Sequence, residues 1–482
     1  MGLKINQATS LQREREEQMR WSLRNSVPSR QRVEALLSRM LENEFRDLEE
    51  MQERIRQRLQ EFLLFAVRQV PYYREMVGKL DLRETDFSSQ VDLSIFPPLT
   101  KTMLREHRDR LMAESVPDGY EAIGGTKSSG TTGEPVQVRL SRRNAQFFGV
   151  LKQRELRWFR YAPTGLMAYI RPPDEFPHQS YDDRSKTYHS NQWPYVGNWF
   201  ETSRAIGCDI LLPIDDQLQW LRENHVEYLT VEAGVLESLA FGQENFSHCQ
   251  DLKGIQAVAT QLTTNMRIRA QEAFELRIDQ NYGLNEIGTV ASRCPEGGRY
   301  HVHIEHCLVE IVDEHGQACR PGETGRILVT GLNNLAMPLI RYDTDDMAEV
   351  VEGPCPCGRT LPSFERITGR YRRTAYLPGN TWQYWESFRN KIESIPAPIS
   401  KNFRQYQLHQ FQDGAFEFRF ISVGDSDSEF TSYVSDSWKE VVASVAPGSN
   451  EKFDIRRVDF IPKGMGRKYQ NFTSDFSPNE DG

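Results

Sequence analysis

The segment KSSGTTGEP, residues 127–135, is the stretch on which the interpretation of the whole chain depends. It lies between GYEAIGG and VQVRLS, and the second of these is typical of a strand. Small residues let backbone N–H groups converge on an anion, and the four hydroxyls add further donors. The Walker pattern GxxxxGK[ST] does not match here. Taken alone, the segment favours a plain polar hairpin over a phosphate-binding loop.

The surrounding sequence, from about 118 to 370, alternates short β-rich runs with helical stretches. Strands that alternate with helices predict an α/β body whose sheet is covered on its faces. The strands are expected at 165–170, 227–231, 254–259 and 325–330, and helices at 236–246 and 265–274. After about 370, the runs FEFRFISV and KFDIRRVDFI flank a helical segment, which predicts a small α+β unit.

The N-terminal part carries apolar residues every three or four positions between residues 30 and 70, which indicates one face of a helix. This helix either lies on the body or forms a coiled-coil dimer seam, so a homodimer stays open. We divide the chain into an N-terminal helical extension (1–75), a large ATP- and substrate-binding domain (76–370) and a small mobile C-terminal lid (371–482).

The composition argues against several classes of protein. The 482 residues carry a net charge of −9, which argues against a dedicated nucleic-acid or membrane-surface protein. No apolar run approaches the ~18 residues of a membrane span, and the first residues lack a signal-peptide core. Seven cysteines without such a signal favour a reduced, cytoplasmic protein whose cysteines are buried or bind metal.

Four further motifs follow the opening segment in order. In QNYGLNEIG, Tyr282 can stack on a base and Glu286 can hold Mg²⁺, or the stretch is an ordinary turn into a helix. PLIRYDTDD ends in an acid, Asp346, suited to accept both hydroxyls of a ribose. RITGR ends at Arg370, and the terminal GMGRKYQ carries a basic loop.

Together these motifs resemble the adenylate-forming superfamily of acyl-CoA ligases and adenylation domains, above all its phenylacetate–CoA ligase-like and capsule-biosynthesis-type branch. CPCGRT, VPYYRE and FPPLTKTMLREH add to the likeness, which covers residues from about 50 to 472. The resemblance implies a large α/β adenylation body, a small α+β C-terminal domain that moves as a lid, and the substrate ATP.

The resemblance also implies a role for each motif residue. The loop at 128–133 would hold the β- and γ-phosphates, Tyr282 would stack on adenine, and Glu286 would ligate Mg²⁺. Asp346 and Arg370 would bind the ribose. The loop residues are Ser128, Ser129, Gly130, Thr131, Thr132 and Gly133, with Thr131 assigned a catalytic hydroxyl.

The catalytic cation would come from the terminal loop. Lys468 would reach the α-phosphate and the acyl oxygen. Because the usual pattern places glycine immediately before this lysine, and Arg467 intervenes here, Arg467 is the alternative, followed by Lys463.

Four residues between the glutamate motif and the hinge, three thiols and one imidazole, make up a closed tetrahedral set for a structural zinc ion. They are Cys294, His301, Cys355 and Cys357. The same branch shows cysteines and a histidine at comparable places. His303 is a competing ligand.

The sequence departs from the superfamily's RYRTGD pattern, because Asp343 replaces an arginine and Asp345 a glycine. The loop after Arg370 is bulky, LPGNTWQYWESF, where the pattern is rich in glycine. These departures leave the acceptor open between a thiol and an amine.

The leading hypothesis is an AMP-forming ligase that activates a carboxylic acid, with an aromatic acid left open by the stretches RWFRYAP and NQWPYVGNWF. The alternatives are activation of nitrite for N–N bond formation, nucleotidyl transfer, and a non-catalytic nucleotide-binding relative.

Overall fold

The computed structural model describes residues 30–83, 86–89, 92–127, 136–176, 179–241, 251–260, 262–313, 315–370, 374–377, 381–384, 386–396, 399, 402–422, 427–445, 447–448, 452–461 and 471–475. The described helices are α1 Arg30–Asn43, α2 Leu48–Gln69, α3 Pro71–Lys79, α4 Asp86–Ser89, α5 Lys101–Glu106, α6 Arg142–Trp158, α7 Ile214–Glu223, α8 Ala233–Phe241, α9 Thr264–Phe274, α10 Glu386–Glu393 and α11 Ser428–Val445. Short 3₁₀ turns lie at Leu93–Ile95, Arg108–Leu111, Pro173–Glu175 and Val196–Asn198.

The strands follow in chain order. The first eleven are β1 Ala122–Lys127, β2 Gln137–Ser141, β3 Met167–Arg171, β4 Ser180–Asp182, β5 Thr187–Ser190, β6 Ala205–Asp209, β7 Tyr228–Glu232, β8 Gly254–Val258, β9 Ile278–Leu284, β10 Gly288–Arg293 and β11 Tyr300–Val302. The others are β12 Cys307–Val312, β13 Thr324–Gly331, β14 Tyr342–Val350, β15 Ser363–Arg370, β16 Thr374–Leu377, β17 Thr381–Tyr384, β18 Phe403–Gln410, β19 Phe416–Ser422, β20 Phe453–Arg457 and β21 Phe472–Ser474.

The chain divides into two compact units. The first comprises residues up to Leu166, Ser190–Ala205 and Asp279–Gly369, and the second comprises Met167–His189, Ile206–Ile278 and the residues from Arg370 onward. The predicted three-part division stays a prediction. Among the described residues, no helix is both long and apolar enough to cross a membrane.

The first unit contains the strand order β12-β13-β14-β15-β11-β10-β9. The register pairs β9 with β10 and β13 with β14 in antiparallel fashion. This places the ends of β9 and β14, which carry the tyrosine–glutamate and RYDTDD motifs, in one unit.

The second unit has the order β8-β7-β3-β6-β5-β4, in which β3, β7 and β8 are parallel, and a separate sheet β20-β19-β18-β21. The buried apolar faces of α11 and of this smaller sheet share one core with Phe241 at the end of α8. The α/β class predicted from alternating strands and helices is confirmed, and so are the predicted strand positions at β3, β7, β8 and β13.

The apolar periodicity between residues 30 and 70 predicted one face of a single helix, and this prediction was wrong. It is broken after Asn43, and Asp47 caps a new helix by accepting from the backbone N–H groups of Glu49 and Glu50. Phe45 and Leu48, which the periodicity placed on the buried face, are 59% and 45% exposed. Asn43 and Glu44 are buried instead because they bond residues far along the chain. The Nδ2 atom of Asn43 donates to Glu305, and Glu44 pairs with Arg154 at 3.1 Å.

Candidate active site and metal centre

The tyrosine–glutamate motif forms the β9–β10 hairpin and not a turn into a helix. Tyr282 pairs with Ala291, and Leu284 with Gly288, so Glu286 lies at the tip of the hairpin. Both Tyr282 and Glu286 are buried. Gly288 has a φ of 106°, and a Cβ there would lie 3.3 Å from the Nε2 atom of His306. Glycine is therefore required by the backbone, and the tight turn fixes the direction of the Glu286 carboxylate.

Two tyrosines join this hairpin to the start of β14. The Tyr342 hydroxyl donates to Oε1 of Glu286 at 2.8 Å, and the Tyr282 hydroxyl donates to Oδ2 of Asp346 at 2.9 Å. Burial, followed by the nearby carboxylate of Glu286, raises the pKa of Tyr342 above its ordinary value. The phenol therefore stays protonated and acts as a donor. The predicted magnesium ligand, at the tip of the β9–β10 hairpin, and the predicted ribose ligand, on β14, are thus each held by a tyrosine hydroxyl from the other element, within one unit.

The two departures from the superfamily pattern are each matched by a basic side chain. Asp343, which stands in place of an arginine, pairs with Arg326 at 2.9 Å. Asp345, which stands in place of a glycine, has a φ of 63° and pairs with Lys101 at 2.8 Å. We call the four carboxylates Glu286, Asp343, Asp345 and Asp346 the acid row.

A chain of hydrogen bonds behind the hairpin was not predicted from the sequence. The Nε2 atom of His306 lies 2.9 Å from the carbonyl oxygen of Ile287, and its Nδ1 atom lies 3.0 Å from the amide of Asn333. The Asn333 oxygen in turn accepts from Arg58 on α2. Burial lowers the pKa of His306 to about 4, so the imidazole is neutral, with the proton on Nε2 facing the carbonyl. The only local sign of this role is a histidine just before β12, which a sequence pattern does not distinguish from a core residue.

The four predicted zinc ligands converge on one point. One ligand atom from each of Cys294, His301, Cys355 and Cys357 lies within 4.8 Å of every other, and we call this set the metal cluster. Sγ of Cys355 is 3.8 Å from Sγ of Cys294, and Sγ of Cys357 is 3.3 Å from Nε2 of His301. A tetrahedral site with zinc–sulfur bonds of ~2.3 Å places its sulfurs about 3.8 Å apart. The spacing therefore fits zinc.

The groups around the metal cluster also fit a metal. Nδ1 of His301 is 3.2 Å from the carbonyl oxygen of Leu361, which leaves Nε2 free of its proton and facing Cys357. The backbone N–H of Gly297 donates to Sγ of Cys294 at 3.2 Å. A Cβ on Gly297 would lie 2.2 Å from Sγ of Cys355, so the backbone approaches the sulfurs as closely as glycine permits.

The protonation of these groups depends on the metal. Without an ion, burial raises the pKa of the Cys294 thiol to about 12. Burial also opposes ionisation of Cys357, but hydrogen bonds, first from the Arg359 backbone, lower its pKa below the ordinary value. Burial lowers the pKa of His301 to about 4, so its imidazole is neutral at neutral pH, as a ligand must be.

His303, the competing ligand, points into a different set of contacts. Its Nε2 atom is 2.9 Å from the Ser292 hydroxyl, and that hydroxyl donates to Glu155 at 3.0 Å. Because a hydroxyl has one proton, Nε2 of His303 is the donor to Ser292. His303 is therefore outside the group of atoms that converges on one point.

The remaining predicted site residues and cysteines are not among the contacts described above. The loop residues Ser128 to Gly133 and the cations Lys463, Arg467 and Lys468 lie outside the described residues. Arg370 ends β15, and its side chain is likewise outside the description. Cys208 and Cys307 are buried, Cys319 is half-buried, and none of these three is in the metal cluster.

Comparison with known proteins shows what the chain is similar to. No family model matches the chain. It is 24% identical over 393 residues to the phenylacetate-coenzyme A ligase of Thermus thermophilus. The matched residues make up 78% of this chain and 81% of that relative. The identity to the phenylacetate-coenzyme A ligase of Escherichia coli is 26% over 398 residues, 80% of this chain and 84% of the relative.

Among solved structures, a 2-hydroxyisobutyryl-CoA ligase in the postadenylation state, in complex with R3-HIB-AMP, superimposes with a TM-score of 0.69. The sequences are 16% identical, and the match covers 90% of this chain and 91% of the other. The fold is therefore that of the adenylate-forming ligases. The predicted resemblance to this superfamily, with phenylacetate–CoA ligases among the similar proteins, is confirmed.

Proposed function

We propose that this chain is an ATP-dependent, AMP-forming ligase that activates a carboxylic acid as an acyl-adenylate and transfers the acyl group to the thiol of coenzyme A. The supporting observation is the pairing of Tyr342 with Glu286 and of Tyr282 with Asp346, which links the β9–β10 hairpin to β14. The similar proteins with curated names are phenylacetate-coenzyme A ligases, and this supports the same reaction type. Phenylacetate and other aromatic acids are accordingly the first acids to test.

The first half-reaction forms a bond between a carboxylate oxygen and the α-phosphorus of ATP, while the bond to pyrophosphate breaks. No protein nucleophile is needed, so the residues act by positioning and by neutralising charge. Asp346 would accept both ribose hydroxyls, Arg370 would also bind the ribose by the resemblance, and Tyr282 would stack on adenine. The loop at 128–133, with the Thr131 hydroxyl, would hold the phosphates.

Glu286 is suited to a magnesium ion because its carboxylate is fixed by one donor, Tyr342, on Oε1. When bound, the ion neutralises charge on the phosphates. Lys468 would supply the cation at the α-phosphate, with Arg467 as the alternative. In the second half-reaction, the thiol sulfur bonds to the acyl carbon, AMP leaves with the electron pair, and the thiol proton passes to solvent.

The metal cluster is proposed to hold a structural zinc ion. All four positions of the tetrahedron would be filled by protein ligands, so no site is left for a substrate. Metal analysis of the purified protein tests this directly, and one zinc per chain is the expected result.

The test of the activity is ATP–pyrophosphate exchange with a panel of aromatic and aliphatic acids, followed by product analysis with coenzyme A, amines and nitrite. Exchange that depends on an acid, with a thioester as product, is expected. Exchange only with nitrite, or product formed only with an amine, would replace the proposed acceptor chemistry. ATP binding without exchange for any acid would favour a non-catalytic nucleotide-binding protein.

The cation is tested by Lys468→Ala and Arg467→Ala. Lys468→Ala is expected to abolish adenylate formation and to leave ATP binding nearly intact. Unchanged adenylate formation in this variant, with loss in Arg467→Ala, would move the role to Arg467.

A further inference from the structure

Asp345 occupies a backbone conformation that a glycine would adopt at no cost. Its φ is 63°, in the left-handed region, whereas the superfamily pattern has glycine at this place. Left-handed backbone at a residue with a Cβ costs free energy that its surroundings must offset. The residue that follows is Asp346, the predicted ribose ligand, so the conformation at 345 sets the direction in which Asp346 leaves the chain.

Lys101 contributes to the surroundings that hold this conformation, together with Asp343, whose Oδ1 atom accepts from the backbone N–H of Asp345 at 3.1 Å. Its ammonium lies 2.8 Å from Oδ2 of Asp345 and 3.3 Å from the carbonyl oxygen of Thr344. Asp345 is buried, at 8% exposure. A buried carboxylate without a paired cation is strongly unfavourable. Lys101 therefore both neutralises Asp345 and holds the backbone carbonyl of the residue before it.

The position of Lys101 is itself fixed by backbone contacts. The N–H of Leu99 donates to the carbonyl of Arg341 at 2.9 Å, and the N–H of Asp343 donates to the carbonyl of Leu99 at 3.0 Å. The Thr100 hydroxyl caps α5 by accepting from the N–H of Met103. The segment that carries Lys101 thus lies alongside the start of β14. Lys101 follows Leu99 by two residues, and its partner Asp345 follows Asp343 by two residues.

We propose that Lys101 is a positioning residue for the nucleotide, which acts through Asp345 to aim Asp346 at the ribose, and that the Lys101–Asp345 pair takes the place of the glycine in the superfamily pattern. This inference rests on the proposed function. It accounts for why an aspartate is tolerated at a glycine position next to two further acids. It also predicts that lysine is dispensable once the glycine is restored.

The test measures binding of Mg·ATP and Mg·2′-deoxy-ATP by calorimetry in wild type, Lys101→Met, Asp345→Gly and the double variant. Lys101→Met is expected to weaken ATP binding by about 10-fold, the scale of one charged hydrogen bond, and to lower the preference for ATP over 2′-deoxy-ATP. Asp345→Gly is expected to bind like wild type. The double variant should recover wild-type binding and preference, because glycine needs no partner at this φ.

Lys79→Met is the matched control, since Lys79 forms an exposed pair with Glu75 in the same unit. This substitution should not change the binding affinity for either nucleotide. Binding of Lys101→Met equal to wild type would overturn the proposal, and so would a double variant as impaired as Lys101→Met. A Lys101→Met variant that loses ATP and 2′-deoxy-ATP equally, with a lowered melting temperature, would also overturn it in favour of a merely structural role. If wild type binds ATP with these properties but exchanges pyrophosphate with no acid, the proposed function fails and this inference stands.

Discussion

Two clusters of polar side chains lie in the first unit, the metal cluster and the acid row, and they differ in what holds their members together. In the metal cluster the ligand atoms face one another: Sγ of Cys355 is 3.8 Å from Sγ of Cys294, and Sγ of Cys357 is 3.3 Å from Nε2 of His301. In the acid row each carboxylate has a protein donor of its own. The pairs are Tyr342–Glu286, Arg326–Asp343, Lys101–Asp345 and Tyr282–Asp346.

This difference indicates what each cluster needs in order to fold. A group of converging thiols is stable only with a metal or with every thiol protonated, so folding and metal binding are coupled. The acid row is satisfied by protein donors before any nucleotide arrives, and is therefore preorganised for its ligand. Removal of metal is expected to affect stability, and removal of a row member that is proposed to contact the nucleotide or its magnesium ion, Asp346 or Glu286, is expected to affect nucleotide handling.

The largest effect is expected at the metal cluster. Cys355→Ser should reduce bound zinc from one per chain to well below one, and lower the free energy of unfolding by several kcal/mol because the binding energy of a structural zinc is folding energy. Metal analysis and denaturant unfolding measure the two quantities.

Cys319→Ser, which changes a half-buried thiol outside the cluster, is the control and should keep its zinc. If undamaged wild-type protein contained far less than one zinc per chain, the metal cluster would not be a zinc site, and its contrast with the acid row would no longer hold.

The next effect is expected at Asp346. Asp346→Asn should weaken ATP binding by a factor of about 10 to 100, since asparagine keeps one acceptor oxygen and loses one charge-assisted hydrogen bond to the ribose, which contributes ~1.5–3 kcal/mol. The folded protein should keep its zinc and nearly all of its stability. Calorimetry with Mg·ATP measures the loss.

Asp313→Asn, in an exposed turn where Asp313 accepts from His315 and Gln317, serves as control. Nucleotide affinity that is the same in both variants would remove Asp346 from the ribose site.

Much of this arrangement could be predicted from the sequence, and the successes and failures have physical causes. The four residues predicted as zinc ligands do converge, and they could be chosen because thiols and imidazoles occur at few positions and the resemblance to the superfamily branch singled out these four. The strands were predicted because apolar runs bounded by turn residues are a local signal. The break after Asn43 was missed because its cause, the burial of Glu44 against Arg154 and Arg359, joins residues far apart in sequence.

The partners of the acid row were missed for the same reason. Asp343 and Asp345 were recognised as departures, but Arg326 and Lys101 lie 17 and 244 residues from their partners. Nothing in a single sequence pairs charges over such distances. The role of His306 is also set by contacts alone.

A smaller effect, on stability, is expected at His306. Its pKa is about 4 in the folded state against 6.5 ordinarily, so between these values the unfolded chain binds a proton that the folded chain does not. The stability contributed by the neutral imidazole is present above pH 6.5 and is lost as the pH falls toward 4. From pH 6.5 to 5 the loss is about 2 kcal/mol.

His306→Gln should flatten the pH dependence by that amount, as measured by denaturant unfolding at several pH values. His315→Gln, at an exposed turn, should leave it unchanged. A pH profile of His306→Gln identical to that of wild type would mean that the buried histidine does not titrate as its surroundings require.

The smallest effect is expected from loss of a single phenol hydroxyl. This variant distinguishes an effect on protein stability from an effect on magnesium and nucleotide binding. Tyr342→Phe removes the donor to Glu286, so the carboxylate is less well held and the apparent affinity for Mg²⁺ in ATP–pyrophosphate exchange should fall by about 5- to 10-fold, the scale of one hydrogen bond worth about 1 kcal/mol. Tyr300→Phe is matched to it, because Tyr300 also donates a buried hydroxyl bond within this unit, to Gln280. Both variants should lose about 1 kcal/mol of stability, but only Tyr342→Phe should change the magnesium dependence. If both variants change it equally, the acid row is supported by general packing and the contrast with the metal cluster no longer holds.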